Sequence, residues 1–269
     1  MSRFGKIELS DPQYESGQLR FLTFNSPALQ GRGDTTLFIP LDSSRMTDVP
    51  LVILLHGVYC SHWSWAFKGG AHLTAAEMIA NREIPPMVLA MPSDGLWGEG
   101  SGYLPHKEAD YEAWIVKDVI ECITGVLTQV GERSAVFIAG LSMGGYGALR
   151  LGAKYPEYFK GISAHSAITQ AADLPRFIKK RPLSFDHKDE ALEITYWLYK
   201  NRTKLPPIRF DCGLDDGLLG ANQHLHKQLC DSGIPHQYQE FSGKHKWSYW
   251  TRHLRDTLRF FGEIAQALE

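Results

Sequence analysis

Apolar residues along this chain cluster in short runs, separated by longer stretches in which they recur every three or four positions. The runs LRFLTF (from Leu19), TTLFIPL (Thr35), LVILLHG (Leu51), MVLAMPS (Met87), AVFIAGLS (Ala135), GISAHSAI (Gly161), IRFDCG (Ile208) and HQYQEF (His236) read as strands. Several are apolar throughout rather than alternating, which is the pattern of strands covered by helices on both faces. The intervening spacing predicts helices at about Trp65 to Asn81, Glu108 to Leu127, Met143 to Lys154, Leu218 to Asp231 and Trp247 to Ala267. In the second of these the apolar stripe begins at Ala113, Val116 and Ile120. From Leu51 onward the order is βαβα, so the fold class is α/β with a mostly parallel central sheet and helices on both faces. The first two runs precede any helical pattern and are joined by SPALQGRGD, which predicts an antiparallel hairpin at the N-terminal edge.

The rhythm breaks between Thr169 and Pro207, where Pro175, Pro182, Pro206 and Pro207 surround one helical patch, ALEITYWLYKNR. That stretch is short for a domain and long for a loop. The expected organisation is therefore a single domain over 1–269 with a surface excursion at about 169–207.

Composition narrows the function classes. With 43% hydrophobic and 22% charged residues and a formal charge of -2, the chain carries no electrostatic bias towards nucleic acid or anionic membranes. The start, MSRFGKIELSDPQ, lacks the apolar core of a secretory signal, and no stretch approaches the roughly 20 apolar residues of a membrane span. A soluble, cytoplasmic protein is expected, with a homo-oligomer left open. Cys60, Cys122, Cys212 and Cys230 form no CxxC pair, so neither a zinc ribbon nor a disulfide framework is suggested and reduced thiols are expected.

The chemistry concentrates in GLSMGGYGA, residues 140–148, directly after the buried run AVFIA and before a helical pattern. A nucleophilic serine on a strand-to-helix turn must hold an unfavourable backbone conformation, and neighbours without Cβ atoms make that turn possible. Gly140-Leu141-Ser142-Met143-Gly144 fits this G-x-S-x-G pattern, and the Met143 N–H at the helix start can serve as one oxyanion donor. A serine needs a base and a group to orient that base, in the chain order Ser, Asp or Glu, His. After IRFDCG come Asp215 and Asp216 at a strand end, with Asp211 just upstream; spacing leaves all three open, Asp216 slightly ahead, since any could instead cap the next helix. After HQYQEFSG comes His245, preferred for its position over His187 and His236. His224 and His226 are too close in sequence to share a helix face and make a poor metal pair. In LLHGVYCSHWSW the second oxyanion donor falls at the Val58 N–H, beside Tyr59, while His56 is expected to order the loop by hydrogen bonding.

With these residues in view, the sequence resembles the putative-esterase family of α/β hydrolases, which includes esterase D or S-formylglutathione hydrolase, tributyrin-type esterases, carbohydrate and feruloyl esterases and mycolyltransferases. The resembling segments are LLHGVYCSHWSW, MPSDGLWGEGSGYL, GLSMGGYGALRLGAKYPEYFKGISAHSA, CGLDDGLLGANQHLHKQL and GKHKWSYW, spread from Leu51 to Trp250. The resemblance implies the α/β-hydrolase fold. It also implies that Cys-Gly-x-x-Asp carries the acid on Asp216 and Gly-x-His-x-Trp the base on His245. Two departures stand out: Gly217 replaces an aromatic residue frequent after the acid, which is expected to widen the pocket wall, and HGVYCSHW lacks the formylglutathione signatures. A tributyrin-like or carbohydrate-esterase-like substrate is expected over formylglutathione.

The expected activity is a serine carboxylesterase acting on short-chain acyl, acetyl or feruloyl-type esters through an acyl-enzyme on Ser142, with no metal or cofactor. Among aromatic residues near the catalytic edge (Tyr59, Trp63, Trp65, Trp97, Tyr103, Trp247), Tyr59, Trp97 and Trp247 are the candidate substrate contacts. The alternatives are an acyltransferase or peptidase using the same triad, and a non-catalytic binding protein on a hydrolase scaffold. The mark of the last would be loss of a triad member, and none is lost.

Overall fold

In the computed structural model, residues 3–41, 43, 46–179 and 190–268 are described. Among the described residues nine strands form one sheet: β1 (Ile7–Leu9), β2 (Leu19–Ser26), β3 (Gly31–Phe38), β4 (Leu51–Leu55), β5 (Val88–Pro92), β6 (Val136–Leu141), β7 (Phe159–His165), β8 (Ile208–Gly213) and β9 (Gln237–Phe241), in the order β1-β2-β3-β5-β4-β6-β7-β8-β9. The predicted hairpin pairs β2 with β3 from Leu19↔Phe38 to Ser26↔Gly31, and β3 joins β5 antiparallel. Every pairing from β5 through β4, β6, β7 and β8 to β9 is parallel. The three-residue β1, which no apolar run announced, adds to the free edge of β2 through Ile7↔Phe24 and Leu9↔Leu22.

The all-apolar strands serve two cores. In β4, Leu51, Ile53 and Leu55 point to one face and Val52 and Leu54 to the other, and all five are fully buried. One face is covered by α3 (Tyr111–Ala113), its π-helical continuation (Trp114–Val119), α4 (Ile120–Val126), α5 (Met143–Lys154), α6 (Ile194–Lys200) and α7 (Leu219–Asp231). The other is covered by α1 (Ser64–Phe67), α2 (Ala71–Ala80) and α8 (Trp247–Leu268). Among the described residues no helix is long and apolar enough to cross a membrane.

Two predicted helices differ in detail. The one expected from Trp65 to Asn81 is broken after Phe67, because Gly70 takes a left-handed φ of 61° and a Cβ on Gly69 would sit 2.9 Å from both the Trp65 carbonyl and the Trp247 ring. The one expected from Glu108 begins at Tyr111, where Asp110 caps it by accepting the Ala113 N–H at 2.9 Å. Its π-helical turn carries the Trp114 ring against Gly33 of β3, with the indole N–H on the Ser93 carbonyl at 2.8 Å.

Candidate active site

Strand β6 ends at Leu141 and α5 starts at Met143, leaving Ser142 alone at the turn with φ 54° and ψ −117°. A non-glycine residue there carries about 1–3 kcal/mol of backbone strain, which the surroundings must offset. They do so through the peptide groups: the Ser142 N–H donates to the His165 carbonyl at 3.0 Å, and the Ser142 carbonyl accepts from Ile168 and Tyr146, both at 3.1 Å. The flanking glycines are a steric requirement. A Cβ on Gly140 would overlap the backbone of Gly144, and one on Gly144 would overlap the Leu55 carbonyl.

The partners arrive from the next strand ends. His245, in the loop between β9 and α8, places Nε2 3.0 Å from Ser142 Oγ and Nδ1 2.9 Å and 3.1 Å from the two carboxylate oxygens of Asp216, in the loop after β8. The carboxylate fixes the proton on Nδ1, so Nε2 is free to accept the hydroxyl proton. Asp216 also accepts the Leu218 N–H at 2.9 Å, and its side chain is fully buried. Burial alone would raise its pKa; the hydrogen bond and charge of His245, with the Leu218 N–H and Ser166, outweigh it and hold the carboxyl below its ordinary value. Asp215 is exposed, and Asp211 is engaged elsewhere. Trp250 sets its ring edge-to-face with His245 at 4.9 Å and donates its indole N–H to Ser166 Oγ at 3.2 Å, fixing the imidazole from one side.

The Val58 loop lies against the serine, since a Cβ on Gly57 would come within 3.3 Å of Ser142 Cβ. Among the described residues no acceptor meets the N–H of Val58 or of Met143. His56 is buried, which lowers its pKa and keeps it neutral; Nδ1–H donates to the Gly57 carbonyl at 2.7 Å and Nε2 accepts the Asp94 N–H at 3.1 Å. Asp94 in turn accepts the Leu96 N–H at 2.9 Å and the Ser101 N–H at 2.6 Å, so His56 ties the Val58 loop to the 94–103 loop.

Ser142 and His245 open into a cavity of roughly 690 Å³ walled by Val58, Tyr59, Phe177, Trp247 and Trp250, with Lys68 and Lys246 also lining it. Tyr59 and Trp247 are thus where the sequence put them. Trp97 is not: its ring is buried edge-to-face against His106 at 5.1 Å and packs on Tyr111, so it is core and does not line the cavity. Trp65 and Tyr103 are also buried, Trp65 backing the wall through an edge-to-face contact with Trp247 at 5.6 Å. Gly217 stands outside the lining, and a Cβ there would meet nothing within 4 Å, so the expected widening of the wall does not occur at that position. His236 lies at the start of β9, remote from the serine, and His187 falls outside the described residues.

Sequence reading missed Phe177, which enters the cavity from the excursion while its carbonyl accepts the Tyr59 hydroxyl at 2.7 Å. It also missed the buried support beneath the triad. Asp211 binds His165 Nδ1 at 2.9 Å, Arg209 at 2.6 Å and the Tyr249 hydroxyl at 2.8 Å, while His165 Nε2 meets Thr257 Oγ1 at 2.9 Å. Burial works to raise the Asp211 pKa, but His165, Arg209 and Tyr249 together hold it below its ordinary value. This network locks α8 to β7 and β8, whose ends lead into the Ser166 and Asp216 loops.

Residues 26–261 match the family model described as "Putative esterase". The chain is 29% identical over 232 residues to an acetyl esterase of Caldicellulosiruptor saccharolyticus, covering 79% of this chain and 83% of that one. Its fold is similar to that of the fluorophosphonate-binding serine hydrolase F of Staphylococcus aureus, with a TM-score of 0.79, 22% identity and coverage of 92% and 98% of the two chains. It is likewise similar to a ferulic acid esterase, with a TM-score of 0.78, 24% identity and coverage of 97% and 100%.

Proposed function

The chain belongs to the Putative esterase family of carboxylic ester hydrolases, and from that footing we propose that it cleaves acetyl, short-chain acyl or feruloyl-type esters through an acyl-enzyme on Ser142. The observation that supports this most is the unbroken relay from Ser142 Oγ to His245 Nε2 at 3.0 Å and from His245 Nδ1 to Asp216 at 2.9 Å, beneath a strained serine. Ser142 Oγ attacks the ester carbonyl while His245 takes its proton. The Val58 and Met143 N–H groups receive the oxyanion, each donor contributing about 3–4 kcal/mol to transition-state stabilisation. His245 passes the proton to the leaving alcohol, and Asp216 stabilises the imidazolium throughout. Water then enters, gives its proton to His245 and attacks the acyl carbonyl, and the proton returns to Ser142 as the acid leaves.

The likeness to the acetyl esterase supports an acetyl substrate. The cavity of roughly 690 Å³ is larger than an acetyl group needs, and its aromatic walls can also stack a sugar or phenolic ring. The test is hydrolysis of p-nitrophenyl acetate and butyrate by the wild type and Ser142→Ala, followed by acetylated sugars, feruloyl esters and short triglycerides. Activity abolished in the alanine variant is expected; equal rates in both proteins would remove Ser142 from the reaction.

A further inference from the structure

At the end of the sheet opposite the catalytic loops, three side chains of metal-ligating type face one another. His226 and Cys230 stand one turn apart near the end of α7, and His236 immediately precedes β9. Their donor atoms all lie within 4.8 Å of one another: His226 Nδ1 is 2.7 Å from His236 Nε2 and 3.7 Å from Cys230 Sγ. We propose that these three residues form a binding site for Zn²⁺, with water completing the tetrahedron.

Four features of the site support this. The His236 Nδ1–H donates to the Ile234 carbonyl at 2.8 Å, which leaves Nε2 unprotonated and aimed at the cluster, as is usual for a metal-ligating histidine. Both rings are held by stacking, His226 on Tyr238 at 4.7 Å and His236 on Phe210 at 5.6 Å, so the donors are pre-oriented. Tetrahedral Zn²⁺ with ordinary Zn–N and Zn–S bonds puts nitrogens about 3.3 Å apart and nitrogen about 3.6 Å from sulfur. The sulfur, 3.7 Å from His226 Nδ1 and 3.8 Å from its Nε2, lies beside the ring, so the exposed Cys230 side chain turns towards the Nδ1 side on binding, and the imidazoles part by about half an ångström. Finally, Cys230 is exposed, so an ion and its remaining water reach the site from solvent. On binding, the Cys230 thiol releases its proton to solvent and His226 shifts its proton from Nδ1 to Nε2, so affinity falls on acidification. The ion would clip the end of α7 to the start of β9, about 10–17 Å along the helix from its first residue, Leu219, and take no part in hydrolysis.

The experiment is Co²⁺ titration of the chelator-stripped full chain, followed by displacement with Zn²⁺. A one-to-one endpoint with a thiolate-to-cobalt charge-transfer band is expected. That band should vanish in Cys230→Ser, and affinity should fall at least tenfold in His236→Ala. Zn²⁺ should raise Tm in the wild type but not in Cys230→Ser, whose circular dichroism should be unchanged because the residue is exposed. No band, a band surviving in Cys230→Ser, or unchanged affinity in His236→Ala would each overturn the site. Hydrolysis of p-nitrophenyl acetate that rises and falls with Zn²⁺ occupancy would overturn its separation from catalysis.

Discussion

Replacing Asp216 with asparagine changes one oxygen of a fully buried side chain into an amide nitrogen, and the geometry dictates where that nitrogen goes. The carboxylate accepts His245 Nδ1 at 2.9 Å and 3.1 Å and the Leu218 N–H at 2.9 Å. Asparagine keeps one oxygen, held by Leu218, and turns its NH₂ towards Nδ1. Two donors cannot face each other, so the imidazole proton moves to Nε2, where it points at Ser142 Oγ and cannot receive the hydroxyl proton. A tautomer error of this kind lowers kcat by about 10⁴-fold, or about 5.4 kcal/mol at 1.36 kcal/mol per decade. Stability changes less, because the lost charged hydrogen bond, worth about 1.5–3 kcal/mol, is partly offset by relief of the carboxylate's desolvation. The sign of the pH dependence follows from the lowered Asp216 pKa: its stabilisation is complete above the unfolded value of about 3.9 and is lost as pH falls through the lower folded value. The assay is kcat on p-nitrophenyl acetate beside urea denaturation, with exposed Asp215→Asn as the control expected to stay near wild type. A folded Asp216→Asn protein retaining more than a tenth of wild-type kcat would refute the assignment.

Three further outcomes are expected. Gly140→Ala forces a Cβ into the Gly144 backbone and should cost at least 3 kcal/mol, about the scale of severe overpacking, measured by urea denaturation; a change below 1 kcal/mol would contradict the close approach. Glu112 is buried, which alone would raise its pKa, but Arg150, Lys154 and Tyr155 hold it lower; its contribution is therefore complete above about pH 4.3 and lost as pH falls through the folded value. Glu112→Ala should cost about 3–5 kcal/mol at pH 7, with the difference from wild type narrowing towards pH 3, and a constant difference across that range would count against it. Asp211→Asn should lower stability by about 3 kcal/mol or more, yet leave kcat of the folded protein within tenfold of wild type; a kcat loss as large as that of Asp216→Asn would make Asp211 part of the reaction.

The parts of the fold that announced themselves were those with strong local patterns. β4, β6 and β8 are legible because both faces are buried, and α5 because the glycines of the turn fix its first residue at Met143. β1 was silent because a three-residue run, half-buried Ile7 and Leu9 flanking exposed Glu8, is too short to establish a period. The break at Gly69 and left-handed Gly70 was hidden by helical spacing on either side, and the Trp247 ring, which leaves no room for a Cβ at Gly69, comes from a segment far along the chain. At the candidate site, Ser142 and His245 were singled out by motif and position, and the structure brings them within 3.0 Å of each other. Asp216 could not be separated from Asp215 or Asp211 by spacing, because what distinguishes them is the partner each side chain meets: Asp215 is exposed, Asp211 pairs with His165 and Asp216 with His245. Trp97 was misplaced for a related reason: its loop approaches the catalytic edge, but the ring turns back onto His106 and Tyr111. The pairing of His165 with Asp211 spans 46 positions and leaves no trace in the sequence.

The contact between Ser142 and His245 joins residues 103 positions apart. A ribosome adding about 5–20 residues per second delivers the serine roughly 5–20 s before the histidine. During that interval a nascent chain can already form the turn after β6, yet it displays a hydroxyl with nothing to remove its proton. On the roles proposed for Ser142 and His245, hydrolysis therefore begins only once synthesis has passed β9 and delivered the loop that carries His245.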